Sequence, residues 1–223
     1  MKKQEELDWK KLKRLEKELF SRHDPGLLSV LRKAVVGIAG AGGLGSNAAV
    51  SLARAGVGKL IIADMDRVYP SNLNRQYYFL DQIGQLKVEA LVENLKKINP
   101  FSQYEVHPVR VTAKNLKKLF SEAEIMIEAF DLASEKSMLI NTWLSLFPDR
   151  PIVAASGISG FGKNNKLRTR RLGRLYLCGD EESEPDEKVS PMAPRVGIVA
   201  NMQANLVIEL LYKKSILRSR SLP

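Results

Sequence analysis

Three charged side chains, Arg75, Lys87 and Asp131, and a glycine turn, Gly40-Ala41-Gly42-Gly43-Leu44-Gly45, are the chemically informative residues of this sequence. Fixed arginine and lysine cations neutralise phosphate oxygens, and a carboxylate at a strand end can hold Mg2+ against them. Gly40, Gly42 and Gly45 match G-x-G-x-x-G, a pattern that lets backbone N–H groups approach phosphate at a helix N-terminus. Asp64 lies 19 residues after Gly45, where an acid can hold ribose hydroxyls. This set points to a nucleoside triphosphate.

Such chemistry needs a strand–turn–helix scaffold, and the flanking sequence predicts one. Residues 34–39 (AVVGIA) form an apolar run suited to a buried strand, and 46–55 are rich in the small residues a helix needs to lie close on a sheet. A second strand over 59–63 ends at Asp64. Alternation then continues: helix 85–98, strand 104–109, helix 114–121, strand 125–130, helix 134–146 and strand 151–156. A long helix over 194–213 has Pro194 near its start. Repeated βαβ units imply a Rossmann-like α/β fold, a mostly parallel sheet with helices on both faces. Residues 157–178 suggest a short antiparallel extension toward the C-terminus. Leu12, Leu15, Leu19 and Phe20 fall at helical spacing, so residues 1–33 are expected to be a helical segment ahead of one domain over 34–223.

Composition narrows the class. The 223 residues carry 35 Lys+Arg against 25 Asp+Glu, a formal charge of +10, with 44% hydrophobic and 27% charged residues. That is globular rather than disordered. No apolar run approaches the roughly 18–20 residues of a membrane span, and the first 20 residues lack the apolar core of a secretion signal. One cysteine, Cys178, excludes an intrachain disulfide and a paired-CxxC zinc site, so a reducing, cytoplasmic setting is expected. The positive charge is clustered. Residues 163–174 hold six basic side chains and no acid, and Asp180, Glu181, Glu182, Glu184, Asp186 and Glu187 come next as an expected exposed loop. A nucleic acid, a membrane surface or an acidic protein would each suit the charge.

A nicotinamide-dependent oxidoreductase shares the glycine turn and Asp64. Hydride transfer, however, calls for a proton donor or acceptor near the nicotinamide, commonly His, Tyr or Lys. His23 and His107 fall outside the predicted C-terminal strand ends and read as surface or packing residues. The stretch after Asp64 differs too: Asp66, then Ser71-Asn72-Leu73-Asn74-Arg75-Gln76, then Gly84-Gln85-Leu86-Lys87.

Together, GAGGLGSNAAVSLARAGVGKLIIADMD, SNLNRQYYF, IGQLKVEALVENLKKINP and MAPRVGIVANMQANLVIELL strongly resemble the ThiF/MoeB family, bacterial relatives of ubiquitin-activating E1 enzymes, and most of all its compact, zinc-free ThiF type. The resemblance implies ATP and Mg2+ as cofactors. The substrate it implies is the C-terminal glycine carboxylate of a ubiquitin-like sulfur carrier, ThiS in thiamine thiazole synthesis. Gly43 would lie against the phosphates with Gly40, Gly42 and Gly45. Asp64, with Asp66 beside it, would bind the ribose side of the nucleotide. Asn72 and Arg75 would line the phosphate channel, Lys87 would contact phosphate and Asp131 would orient Mg2+. Arg22, from the N-terminal segment, would reach the partner's ATP in a homodimer. A molybdopterin-type carrier or a tRNA, as for a threonylcarbamoyladenosine dehydratase, is the alternative substrate. A nucleotide-binding scaffold without catalysis is a further one. Leu86 and Leu132 depart from the family's usual Pro and polar residue, and Cys178 is the single candidate for sulfur chemistry.

Overall fold

The computed structural model describes residues 9–186 and 188–220. Glu187 of the acidic run, the first eight residues of the basic N-terminus and residues 221–223 lie outside these. Seven strands form one sheet in the order β3-β2-β1-β4-β5-β7-β6. They are β1 (Val35–Ala39), β2 (Lys59–Ala63), β3 (Gln103–His107), β4 (Ile125–Glu128), β5 (Ile152–Ala155), β6 (Arg168–Leu172) and β7 (Leu175–Gly179). All neighbours are parallel except β6 and β7, so the expected fold class and its antiparallel extension both hold.

Side-chain alternation along the strands makes two cores. Val36, Ile38, Leu60, Ile62, Ile125 and Ile127 face one way, onto α2 (Pro25–Leu31), α3 (Gly43–Ala55), α4 (Lys87–Ile98) and α7 (Ala193–Arg220). Ala39, Ile61, Ala63, Met126 and Ile152 face the other way, onto α5 (Leu116–Phe120) and α6 (Ala133–Leu146). Burial on both faces explains why the strands read as continuous apolar runs.

Two boundaries differ from the sequence reading. The N-terminal segment is two helices, α1 (Trp9–Leu19) and α2, because Asp24 caps the second, its carboxylate accepting from the N–H of Gly26 (2.8 Å) and Leu27, with Pro25 as its first residue. Leu31 of α2 is fully buried in the main core, while Leu15 and Leu19 of α1 stay exposed. At the other end α7 continues to Arg220 rather than ending near 213. There Lys214 reaches Glu124 at 2.7 Å, tying the last turns to the strand-end loop before β4. Among the described residues, no helix is long and apolar enough to cross a membrane.

Strand order reverses between β1 and β4. The chain builds outward from β1 through β2 to β3, then returns to lay β4 on the other side of β1. That switch point opens a crevice beyond the carboxyl ends of the strands, the place where open α/β sheets bind ligands.

Candidate active site

The crevice is an open cleft floored by the glycine turn. Gly40 has φ +99°, and a Cβ there would stand 2.6 Å from the Ala129 carbonyl oxygen. A Cβ on Gly45 would stand 1.9 Å from the Gly40 carbonyl oxygen. These two glycines bring turn, strand and helix into contact, and Gly45 does not itself line the cleft. Gly42 and Gly43 do, at the start of α3, where no side chain caps the first N–H groups. An uncapped helix N-terminus on a cleft floor is suited to an anion.

The segment after β2 is stapled to this turn. Ser46 Oγ accepts from the Tyr77 N–H (3.0 Å), the Tyr78 hydroxyl donates to the Ala41 carbonyl (2.6 Å), and the Asn47 side-chain amide donates to the Arg75 carbonyl (3.0 Å). Arg75 is thereby held over the helix start, its stem 3.5 Å from where a Gly43 Cβ would be. Its guanidinium makes only local bonds, to the Ser71 carbonyl (3.3 Å) and Asn74 Oδ1 (2.8 Å). Lys87 opens α4, and its side chain is only 8% exposed, with Nζ 2.8 Å from Asp66 Oδ2.

Asp64 ends β2 with both oxygens engaged: Oδ2 accepts from the Ala41 N–H (2.6 Å) and Oδ1 from the Asp66 N–H (2.7 Å). Burial pushes its carboxyl above the usual range, against those hydrogen bonds and the nearby Lys87 charge. Asp131 lies exposed on the opposite wall, past the end of β4. Behind it, Glu128 is fully buried. Its carboxylate accepts from the Phe130 N–H (2.7 Å) and pairs with Lys136 at 2.9 Å, and burial holds its carboxyl above the usual range. This pair fixes the turn that carries Asp131.

Gly40, Gly42, Gly43, Asp64, Asp66, Arg75, Lys87 and Asp131 are thus brought together. Two other expected site residues stand elsewhere. Asn72 does not line the cleft; its Oδ1 accepts from the Tyr69 N–H (2.9 Å), closing the turn ahead of Arg75. Arg22 is exposed just after α1, near Phe20, which packs by Gly56 at the far end of α3 from the glycine turn. Within one chain it is remote from the cleft.

The sequence reading missed Gln76, buried beside Arg75, and the ion pair of Arg110 with Glu135 (2.8 Å) on the cleft wall. His107 corrects an expectation, since it closes β3 at the carboxyl end of the sheet. Its ring is nevertheless spent on Glu105 (2.8 Å) and does not line the cleft. His23 packs edge-on against Phe20.

Asp180 is a second correction. Expected in an exposed loop, it is buried and paired with the equally buried Arg195 of α7. Glu181 and Glu182 pair with Arg170 and Lys166 of the basic stretch, so the acidic run partly neutralises that stretch.

Cys178 is buried on β7, 3.7 Å from the Thr169 hydroxyl, away from the cleft, and burial pushes its thiol pKa up. A raised pKa and no access make a poor nucleophile. We therefore expect the folded protein to stay unalkylated by iodoacetamide at neutral pH for as long as the urea-unfolded chain takes to label fully. Intact mass checks this, and equal labelling rates would restore the thiol as a candidate for sulfur chemistry.

The sheet order and the glycine-turn cleft at its switch point define a Rossmann-like α/β protein. The chain belongs to the ThiF family, whose model matches residues 15–221. Among its relatives, "Adenylyltransferase and sulfurtransferase uba4" of Aspergillus niger is 34% identical over 195 residues, which is 81% of this chain and 40% of that one. The UBA4 protein of Candida glabrata is 29% identical over 216 residues, 93% of this chain and 49% of that one. The chain thus spans less than half the length of these relatives. Among solved structures, the E. coli tRNA N6-threonylcarbamoyladenosine dehydratase TcdA in complex with AMP superposes with a TM-score of 0.80 at 21% identity, over 89% of this chain and 94% of that one. E. coli MccB with ATP gives 0.66 at 22% identity, over 84% and 58%. At these identities the likeness is one of fold.

Proposed function

We propose that the chain is an ATP-dependent adenylyltransferase that activates the C-terminal glycine carboxylate of a ThiS-like ubiquitin-type sulfur carrier, releasing pyrophosphate. The observation that carries this is the convergence of Arg75 and Lys87 on the uncapped start of α3, with Asp64 and Asp131 on the walls of the same cleft. A relative named both adenylyltransferase and sulfurtransferase supports adenylylation in the service of sulfur transfer.

The residue set matches the chemistry. A C-terminal carboxylate has a pKa of about 3.3–3.7 and is already ionised at neutral pH. It needs no general base, which agrees with the absence of histidine from the cleft lining. It needs alignment with the α-phosphate and cover for the charge that builds there and on departing pyrophosphate. The N–H groups at the start of α3 with Arg75 and Lys87 supply that cover. Asp64 takes the ribose hydroxyls, and Asp66 holds Lys87 in place.

Four acids and three bases line the cleft, so the protein alone does not balance a triphosphate. No group of three or more His, Cys, Asp or Glu among the described residues could cage a metal. Mg2+ suits such a site, because it is bound through one or two carboxylates and phosphate oxygens while keeping several waters. Asp131, on the cleft wall, would hold it, and the ion would supply positive charge against the phosphates. Asp131→Asn is expected to raise the Mg2+ concentration for half-maximal pyrophosphate exchange by roughly 10-fold, with little change in ATP affinity without metal. An unchanged Mg2+ titration would contradict the role.

We assign α2 to the catalytic unit, because its Leu31 is buried in the main core, and α1 to a helical lead ahead of that unit. Arg22, remote from its own cleft, could reach a nucleotide only in a second copy, which fits a homodimer with shared sites.

The test is direct. Incubation with ATP, Mg2+ and a carrier ending in Gly-Gly should give a carrier–AMP adduct by intact mass. A second reading, a tRNA substrate, is favoured by the six basic side chains of residues 163–174 and the full exposure of β6 among them. If no carrier is adenylated and tRNA stimulates ATP hydrolysis, that reading replaces the first.

A further inference from the structure

Phe161 is 81% exposed, more than any other large apolar side chain among the described residues. It does not sit on a loose tip. The Gly160 N–H donates to the Ser190 carbonyl (3.0 Å), and the Gly162 carbonyl accepts from the buried Arg195 guanidinium (2.7 Å). Gly160 and Gly162, at φ +81° and +64°, turn the chain out and back around the ring. Both flanks are tied down, and the phenyl ring between them is held out to solvent. The loop before α7 adds Val189 and Met192, 37% and 46% exposed. Gly160 bridges to Pro191, and a Cβ on Gly160 would stand 3.3 Å from Val189 Cγ1, so the two segments lie side by side. A lone exposed apolar residue is ordinary, whereas an apolar patch marks an interaction site.

The patch continues into the cleft. Ile158 and Pro191 line its wall, and Val196 at the start of α7 lies against Gly43, 2.9 Å from where a Cβ on that glycine would be. This rim therefore stands beside the start of α3, where phosphate is expected and where an attacking carboxylate has to arrive. A chain terminus of four residues spans only about 13–14 Å, so the folded body behind it has to rest on the rim. Residues 163–174, next in the chain, carry six cations, against which Glu181 and Glu182 set two acids. The positive charge left over favours a partner whose own apolar patch is bordered by acids. A nucleic acid suits the patch less well, because Val189, Pro191 and Met192 offer no aromatic face for a base to stack on.

We propose that Phe161, with Val189, Pro191 and Met192, is the docking surface for the folded body of the carrier, seating a small acidic protein so that its C-terminal tail enters the cleft at the start of α3. This rests on the proposed carrier function. Phe161 is the anchor. A rigid aromatic on a tied loop loses little freedom on binding, and such residues carry a disproportionate share of interface energy.

Steady-state carrier–AMP formation, with ATP, Mg2+ and a ThiS-like carrier ending in Gly-Gly, is compared in the unmodified chain, Phe161→Ala, Phe161→Leu and Met192→Ala. Phe161→Ala should raise KM for the carrier roughly 10- to 30-fold, with kcat at saturating carrier and calorimetric ATP affinity unchanged. Met192→Ala should raise it less, and Phe161→Leu, which keeps an apolar contact, should recover most of the loss. Both positions are exposed, so every variant should melt with the unmodified chain. An unchanged carrier KM in Phe161→Ala overturns the proposal. So does a fall in kcat at unchanged KM, which would make the ring part of the cleft's own architecture. If the unmodified chain adenylates no carrier, the carrier function fails and this inference falls with it. Weaker tRNA-stimulated ATP hydrolysis in Phe161→Ala would then assign the face to RNA.

Discussion

Arg75→Ala should lower carrier-dependent ATP–pyrophosphate exchange by roughly 100- to 1,000-fold, about 3–4 kcal/mol of transition-state stabilisation, the scale of a lost oxyanion donor. The loss should fall on kcat as much as on kcat/KM, because the guanidinium meets charge that develops only as the carboxylate attacks. The fold should survive. Arg75 is half-buried, its bonds to Ser71 and Asn74 are local, and the turn that carries it is held by Ser46, Asn47 and Tyr78. A melting temperature within a few degrees of the unmodified protein is therefore expected. Arg75→Lys should not restore full rate, since an ammonium lacks the flat two-donor edge that matches phosphate. Near-normal exchange in Arg75→Ala would overturn the assignment of this cleft. Lys87→Ala is a less clean probe, because it also strands Asp66, which has no second cation within the cleft at that distance.

What the sequence revealed and what it hid divide along a physical line. Features fixed by neighbours in the chain were legible. The run 34–39, the glycines and the small-residue helix form one local unit, and Asp64 sits one βαβ step beyond it, so the floor of the cleft could be read from spacing alone. The break before α2 was also local, an Asp-Pro pair, but the helical spacing of Leu12, Leu15 and Leu19 obscured it. Strand β6 was weak in sequence because every one of its residues is exposed at the sheet's edge, so no apolar alternation marks it. Features that depend on distant partners were not legible at all. Asn72 is a local exception: it carries the right chemistry for a phosphate channel, yet its Oδ1 is spent on Tyr69, three residues back in the same turn. Gln76 stood in plain view in the Asn-Leu-Asn-Arg-Gln run, and only packing reveals that its carbonyl is buried and unpaired. Asp180 looked like one more acid in a charged loop; its burial depends on Arg195, fifteen residues on and in a different element.

Asp180→Ala should destabilise the protein by about 3–5 kcal/mol, because it leaves the Arg195 guanidinium buried without a counter-charge. That is a large share of the roughly 5–15 kcal/mol typical of a folded domain. The pair organises the whole segment between β7 and α7. Asp180 Oδ1 accepts from the N–H of Glu182 (2.9 Å) and Ser183 (2.8 Å), Oδ2 accepts from Ser183 Oγ and Arg195, and Arg195 Nη1 donates to the Gly162 carbonyl (2.7 Å). Gly157 makes room for the carboxylate, since a Cβ there would stand 1.9 Å from Oδ1. The segment also supplies Pro191 to the cleft wall, with Ile158 and Val196 close by in sequence to the tied residues. Loosening it should therefore weaken nucleotide binding as well as folding. Burial on its own would raise the Asp180 carboxyl, but the Ser183 hydroxyl, the two N–H groups and Arg195 outweigh it and hold the group below the usual carboxylate range. With the folded pKa depressed, the stabilisation is fully present above the unfolded value of about 3.9 and is lost as pH falls through the folded one. Urea unfolding at pH 7 measures the main effect, and repeating it toward pH 3 should show the gap between the unmodified chain and Asp180→Ala narrowing. Asp180→Ala/Arg195→Met, which removes the stranded charge, should recover part of the loss. A single variant as stable as the unmodified chain, or a double variant no better than the single, would show that the pair is not what holds this segment to the sheet.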